Sequence, residues 1–363
     1  MRCPPALEGK SCAFPDPRLD SQRSNTRRVG TERVPMKQLS RLLFGAFCLS
    51  TLAASAATAP LAPTDEPAIA ILLVAGDIAK CDPRAGRDEA TSDLVVAEIA
   101  HAEAANLPVR VLAPGDLAYD HGTAAEFKCF DQSWGRFKNK ILPVPGNHEY
   151  ETAHGAPYFD YFKDNPLVHQ NGPGAGYYSL DFPQTGGSWH IVAINAYAGI
   201  DPGSKQLDWL DRDLRSTSAP CILAFSHPFR FSSGHWGHDR SRQPGAPIKP
   251  LPTVKAAYAS LAAADASLFL AGHDHDFEQF GPQDEEGRAG RGPRAFVVGT
   301  GGGPLYNQVG YRTRATNSEA YQQVSHGVLK LTLYTKSFTW DFLPVAGDRD
   351  MTLSPNSASC RRS

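Results

Sequence analysis

A chain of 363 residues with 41% hydrophobic and 20% charged residues has an ordinary globular composition, which excludes a disordered or fibrous protein. Its 36 basic and 38 acidic residues nearly balance, yet the first 56 residues carry nine Lys/Arg against four acids, so the body holds 27 basic against 34 acidic residues. A mildly acidic body argues against nucleic acid as the main partner.

Along the chain, residues 1–35 precede an internal Met36 and read as an upstream extension or a misplaced start. Residues 36–56 read as a secretory signal peptide. Lys37 and Arg41 supply its basic end, 42–52 an apolar stretch too short to span a bilayer, and Ala54-Ser55-Ala56 a cleavage site. Phe47 before Cys48 is too bulky for a lipoprotein site, so no lipid anchor is expected and the mature chain is expected in the periplasm or outside the cell. Cleavage leaves Cys81, Cys129, Cys221 and Cys360. An even number in an exported protein permits disulfides. A Cys81–Cys129 bridge would brace two loops, Cys221 also fits simple burial, and the connectivity stays open.

Residues 57–68, rich in Ala, Pro and Thr, read as a linker, and the folded domain is expected over 69–345 with a tail at 346–363. Short apolar runs bounded by Gly or Pro predict strands at 69–75, 109–113, 141–144, 177–182, 189–196, 221–225, 268–271 and 295–298. Helical spacing predicts helices at 91–105, 206–214 and 254–264, and alternation predicts a hairpin over 328–334 and 337–343. This mixture is α/β. The charged, Gly-rich segment 284–294 reads as a solvated loop.

Asp77, Asp116, Asn147, His227 and His273 each stand just past a predicted strand. Open α/β sheets bind ligands at the carboxyl ends of their strands. All five side chains can ligate metal, and a glycine stands before each except His227. The fragments are Gly76-Asp77, Gly115-Asp116-Leu117-Ala118-Tyr119, Gly146-Asn147-His148-Glu149, Ser226-His227-Pro228 and Gly272-His273-Asp274-His275. In that order they resemble the calcineurin-like metallophosphoesterases, and within them the purple acid phosphatases, from Ile69 to Leu343.

The resemblance implies a four-layer αββα sandwich and two metal ions. Site one would use Asp77, Asp116, Tyr119 and His275, a hard set suited to Fe3+. Site two would use Asp116, Asn147, His227 and His273, suited to Zn2+, Fe2+ or Mn2+. Asp116 would bridge through both oxygens. Tyr119 marks the branch, because Ala79 stands where related enzymes place a ligand His. The implied reaction is hydrolysis of a small-molecule phosphate monoester by metal-activated hydroxide. His148 would contact the phosphate, and His235 would hold it or protonate the leaving group, with His238 as second candidate. Diester hydrolysis and non-catalytic metal or phosphate binding are the alternatives. The family often carries His where Ser226 stands here, which would weaken phosphate contact.

Other residues have blander readings. His101, His121, His154, His169, His190 and His326 read as surface or core residues. Gly301-Gly302-Gly303 fits either a phosphate cradle or a plain turn. Asp274 reads as facing away from the metals. Trp134, Phe137, Tyr158, Phe159 and Phe162 read as core, with substrate stacking as the alternative.

Overall fold

The computed structural model describes residues 66–82, 84, 86–185, 188–237, 253–306 and 314–362. The extension, the signal peptide, most of the linker and His238 lie outside them. The strands are β1 (Ala70–Val74), β2 (Ala79–Lys80), β3 (Val109–Pro114), β4 (Ala118–Tyr119), β5 (Ile141–Val144), β6 (Tyr178–Phe182), β7 (Trp189–Ile194), β8 (Cys221–Ser226), β9 (Leu268–Ala271), β10 (Phe277–Phe280), β11 (Arg294–Val298), β12 (Ser318–Gln322), β13 (Gly327–Leu333), β14 (Ser337–Pro344) and β15 (Ser357–Ser359). The helices are α1 (Asp88–Ala104), α2 (Ala124–Ser133), α3 (Ala156–Tyr161), α4 (Lys205–Ser216) and α5 (Lys255–Ala263).

Two large sheets form. One has the order β15-β14-β13-β1-β3-β5 and the other β12-β10-β11-β9-β8-β7-β6, while β2 and β4 make a short parallel pair. Strands β1, β3 and β5 run parallel, as do β7, β8 and β9. Parallel pairing brings the carboxyl ends of neighbouring strands to one edge of each sheet.

Alternation along the strands builds the layers. Leu223 and Phe225 of β8 join the core shared by both sheets, whereas Ile222 and Ala224 join a second core under α4 and α5. Strand β9 divides likewise, with Leu268 and Leu270 in the first core and Phe269 and Ala271 in the second. Leu207, Leu210 and Leu214 give α4 the apolar stripe that covers this face, and Ser204 caps its start. Over the other sheet, α1 buries Val95, Ile99 and Ala102. Each such Leu, Ile, Val or Phe side chain contributes about 1.5–3 kcal/mol by leaving water. The result is the α/β fold with helices outside two packed sheets.

The structure adds elements that periodicity did not reveal. Helix α2 opens on a capping box, Thr123 with Glu126, but its buried face is short. The tail segment contributes β15, paired with β14, and Cys360, which is bonded to Cys221. Cys81 is bonded to Cys129 across 48 residues, a closure that stabilises by about 4 kcal/mol on chain-entropy grounds. Segment 284–294 is not wholly solvated. Asp284 is buried and accepts from the backbone N–H of Glu286 and Arg288, and Arg294 is buried within β11. Trp134, Phe137, Tyr158 and Phe162 are buried core residues, so none is positioned to stack on substrate.

His190 is the one histidine of the blander set that is clamped between two carboxylates. Its Nδ1 lies 2.8 Å from Asp181 and its Nε2 2.8 Å from Asp213. Burial works against its charge, but Asp213 and Asp181 outweigh burial and raise its pKa above the ordinary value. The protonated ring therefore contributes stability fully below the unfolded-state pKa of about 6.5, and the contribution is lost as pH rises through the higher folded value. His190→Gln is expected to lower Tm more at about pH 5.5 than at about pH 9. Thermal melts across that range check it, and a gap that does not change with pH would show that the ring is not held protonated.

Candidate metal centre

The ligand positions sit where the parallel strands end. Asp77 follows β1, Asp116 follows β3, Asn147 follows β5, His227 follows β8 and His273 follows β9. Three of them turn their chain sharply off the strand with left-handed backbone, at φ 59° for Asp77, 49° for Asp116 and 75° for His273. A non-glycine residue there costs about 1–3 kcal/mol, which marks these positions as constrained. Their amides are all satisfied, by Gly115 O at 3.0 Å, Glu149 Oε2 at 3.0 Å and Asp77 Oδ2 at 2.8 Å respectively. The glycines before the ligands make room for other ligands. A Cβ at Gly146 would fall 2.1 Å from Asp116 Oδ1, and one at Gly115 would fall 2.5 Å from the His227 side chain.

The first group of donors surrounds the Tyr119 hydroxyl. It lies 2.8 Å from Asp77 Oδ1, 3.2 Å from Asp116 Oδ2 and 2.9 Å from His275 Nε2. His275 Nδ1 faces Pro304 O at 2.7 Å, and a carbonyl only accepts, so Nδ1 carries the proton and Nε2 presents a lone pair. The hydroxyl has one proton for three acceptors.

The second group surrounds His227 Nε2. Asn147 Oδ1 is 3.1 Å away, His273 Nδ1 3.1 Å and Asp116 Oδ2 3.2 Å. His227 Nδ1 donates to Pro114 O at 2.9 Å, so in the neutral ring Nε2 is the nitrogen that presents a lone pair. Donor atoms around a tetrahedral ion at about 2.1 Å stand about 3.4 Å apart, so these spacings suit a cation. Asp116, His227 and His273 form a compact ligand cluster in their own right. The residues therefore fit two ions. Asp116 Oδ2 faces both groups of donors, while Oδ1 accepts from His148 N at 3.0 Å and keeps a second lone pair.

Electrostatics agree with this donor set. Burial raises the Asp116 carboxyl, but the His227 and His148 imidazoles overcome burial and hold it below the usual carboxylate range. Burial lowers His227, and the Asp116 charge reverses that and lifts it to about 9. Burial, then Asp77 and Asp116, raise the Tyr119 phenol well above its ordinary value. Tyr119 and His227, both raised, would give up a proton readily to a positive ion, whereas Asp116 is already ionised.

His148 stands at the edge of the cluster. Its Nδ1 donates to Asp120 O, its Nε2 lies 3.7 Å from Asp116 Oδ2, and its side chain is 26% exposed. The His235 ring packs 5.2 Å from Trp236 and 5.2 Å from Tyr306, and Tyr306 stacks on His275. Ser226 is fully buried and donates to Pro228 O, so its hydroxyl is spent within the fold. Of the Gly301-Gly302-Gly303 alternatives, the turn holds. Gly301 N donates to Gly76 O and Gly303 N to Asp77 O, which spends these amides on the first ligand loop. Asp274 does face away, accepting from Ser232 Oγ at 2.5 Å and Trp236 N at 2.8 Å.

Comparisons with known proteins address the family and the fold. A family profile described as Calcineurin-like phosphoesterase matches residues 66–277. The chain is 23% identical over 259 residues to a probable purple acid phosphatase 20 of Arabidopsis thaliana, covering 66% of this chain and 56% of that protein. Its fold is similar to purple acid phosphatase PPD1 from yellow lupin (Lupinus luteus) seeds, with TM-score 0.63 and 15% identity over 80% of this chain and 54% of the other. It is also similar to GAP50, described as the anchor in the inner membrane complex of Plasmodium, with TM-score 0.55 and 12% identity over 82% of this chain and 90% of the other. The chain thus spans little more than half of the plant proteins it matches.

Nothing in the fragment Gly146-Asn147-His148-Glu149 assigns Glu149 a role, and the structure supplies one. It is fully buried, and its two oxygens accept from the N–H groups of Asp116, Leu117, Ala118 and Gly146 at 2.7–3.2 Å. Burial and then the Asp116 charge push it up to about 7, while four donors require its ionised form. Glu149→Gln replaces one acceptor by a donor facing N–H groups. It is expected to lower stability by about 1–3 kcal/mol and to reduce bound metal. Denaturant unfolding and elemental analysis check it, and unchanged values of both would show that the two ligand loops do not depend on this carboxylate.

Proposed function

The chain belongs to the calcineurin-like phosphoesterase family, and on that premise we propose that it is a two-metal phosphatase of purple acid phosphatase type acting on phosphate monoesters. The observation that carries the proposal is the Asp116 Oδ2 atom, which stands 3.2 Å from both the Tyr119 hydroxyl and His227 Nε2 and so links two groups of donors. Asp77, Asp116, Tyr119 and His275 would hold one ion, and Asp116, Asn147, His227 and His273 the other. Three oxygens able to carry charge and one imidazole favour Fe3+ in the first position. Two neutral imidazoles and an amide favour Zn2+, Fe2+ or Mn2+ in the second. A pair of such ions supplies charge neutralisation for the phosphoryl group and acidifies water.

The chain's own residues supply orientation and protons. His227 and His275 are fixed in one tautomer by Pro114 O and Pro304 O. His148, with Nε2 facing Asp116, holds a phosphate oxygen on the solvent side. His235, on the rim beside Tyr306, delivers a proton to the leaving oxygen. Two disulfides support an oxidising compartment, hence an exported protein. Among the described residues no helix is long and apolar enough to cross a membrane.

Nitrophenyl phosphate is expected to be hydrolysed by metal-loaded protein, to be spared after chelation, and to outpace bis-nitrophenyl phosphate. A faster diester rate would make the protein a phosphodiesterase, and turnover that survives chelation would end the metal reading. His235→Ala is expected to slow poor leaving groups more than nitrophenolate, and an equal loss on both would remove it as the acid. Phenolate on ferric iron absorbs visible light, so iron-loaded protein is expected to be coloured and Tyr119→Phe colourless. Colour that survives this substitution would remove Tyr119 from the ligand set.

A further inference from the structure

The two sheets end at β5 and β6, and a groove of about 580 Å³ is lined by both of these edge strands. Ile141 of β5, Leu180 of β6, and Phe162 and Leu167 beyond α3 give it an apolar lining. Leu167 and Leu180 are half-buried against the main core and keep part of their surface for the groove. Arg110 stands near the start of β3 and Ile141 opens β5, whereas Asp116 and Asn147 follow the other ends of those strands. At about 3.3 Å per residue, β3 carries Arg110 about 13 Å back from Pro114, so the groove lies apart from the metal ligands.

Two half-buried cations reach this lining, Arg110 and Lys138, and each is held over a ring rather than against a carboxylate. The Arg110 guanidinium lies 5.8 Å from the centre of the Phe182 ring, and Lys138 Nζ lies 3.8 Å from that of Tyr161. Arg110 Nη1 also donates to Val109 O at 3.2 Å. Neither cation forms an ion pair among the described residues. Among those residues the lining has one carboxylate, the exposed Asp164, so the groove carries a net single positive charge. Most of the guanidinium and ammonium donors are left for a ligand. A volume between about 300 and 1,000 Å³, apolar walls and a few charged donors make up a small-molecule site. One net charge suits a monoanion better than a dianionic phosphate ester, and the leucine surface suits a hydrocarbon body.

We propose that this groove is a second binding site, for a soluble amphipathic monoanion whose carboxylate head meets Arg110 and Lys138 and whose aliphatic chain lies along Leu167 and Leu180. The planar head matches the fork of donors on Arg110, which can bond both carboxylate oxygens, while Lys138 adds a point charge. Seating the chain removes apolar surface of both partners from water, which separates this ligand from a short carboxylate such as acetate. The groove takes no part in the reaction at the metal ligands.

Titration calorimetry of the full-length protein with decanoate, decanol, acetate and decyltrimethylammonium tests the site. Decanoate is expected to bind saturably at one site, about tenfold or more tighter than each of the other three, and to weaken as salt rises. Arg110→Gln and Lys138→Gln are each expected to weaken decanoate about tenfold while leaving decanol unchanged. Both variants are expected to keep the wild-type circular dichroism, and Arg110→Lys to recover part of the loss, which separates a lost contact from a lost fold. Absence of saturable decanoate binding, equal affinity for decanoate and decanol, or unchanged affinity in both Gln variants would overturn the site. Capture of the protein by phosphatidylcholine vesicles carrying oleate, with no binding of decanoate in solution, would make the groove a lipid-surface contact and overturn the soluble ligand.

Discussion

Lone pairs that face one another without protons to share dominate this molecule. Tyr119 has one proton for three acceptors, and His227 Nε2 meets an amide oxygen, an imidazole nitrogen and a carboxylate within 3.1–3.2 Å. Buried donor atoms repel in such an arrangement unless positive charge lies between them. Asp116, whose Oδ2 stands 3.2 Å from both the Tyr119 hydroxyl and His227 Nε2, joins the two local problems into one. The centre is thus built for cations before any reaction is considered.

The rest of the fold can be understood as what holds these atoms together against their repulsion. Parallel strands in two facing sheets bring five ligand positions to the same edge. Three ligands accept an uncommon backbone conformation, and glycines beside them leave space in which a Cβ would collide with a neighbouring ligand. Glu149 ties the loops after β3 and β5 through four backbone donors, at the cost of burying a second carboxylate beside Asp116. Pro114 O and Pro304 O choose the tautomers of two histidines. The Cys81–Cys129 bridge joins the loop after β2 to α2, and β2 pairs with the β4 strand that carries Tyr119.

A second ring of consequences follows outside the donors. Asp274 sits between two ligand histidines with its carboxylate turned away, so one short segment directs the centre on one side and anchors the Trp236 loop on the other. The same backbone that carries His273 and His275 therefore also fixes the neighbouring Trp236 loop.

Much of this was legible in the chain itself. Short apolar runs such as 141–144 and 268–271 could only be buried strands, and Asp77, Asp116, Asn147, His227 and His273 following such runs pointed to one metal centre, because strand ends carry sites in this class of fold. The capping box Thr123–Glu126 also lay in plain view, but α2 is too short for periodicity to announce it. Other features belong to tertiary structure alone. No local pattern tells Glu149 that four amides from two loops await it, that Asp116 Oδ2 stands between two groups of donors, or that Gly301 and Gly303 spend their amides on the β1 loop. Nor does any pattern separate Trp134, which is core, from Trp236, which packs beside His273. Residue types and spacing state which atoms can bind a metal, because that is a property of each side chain. Which atoms stand close enough to compete for one proton depends on distances across the sheets, and folding alone decides those.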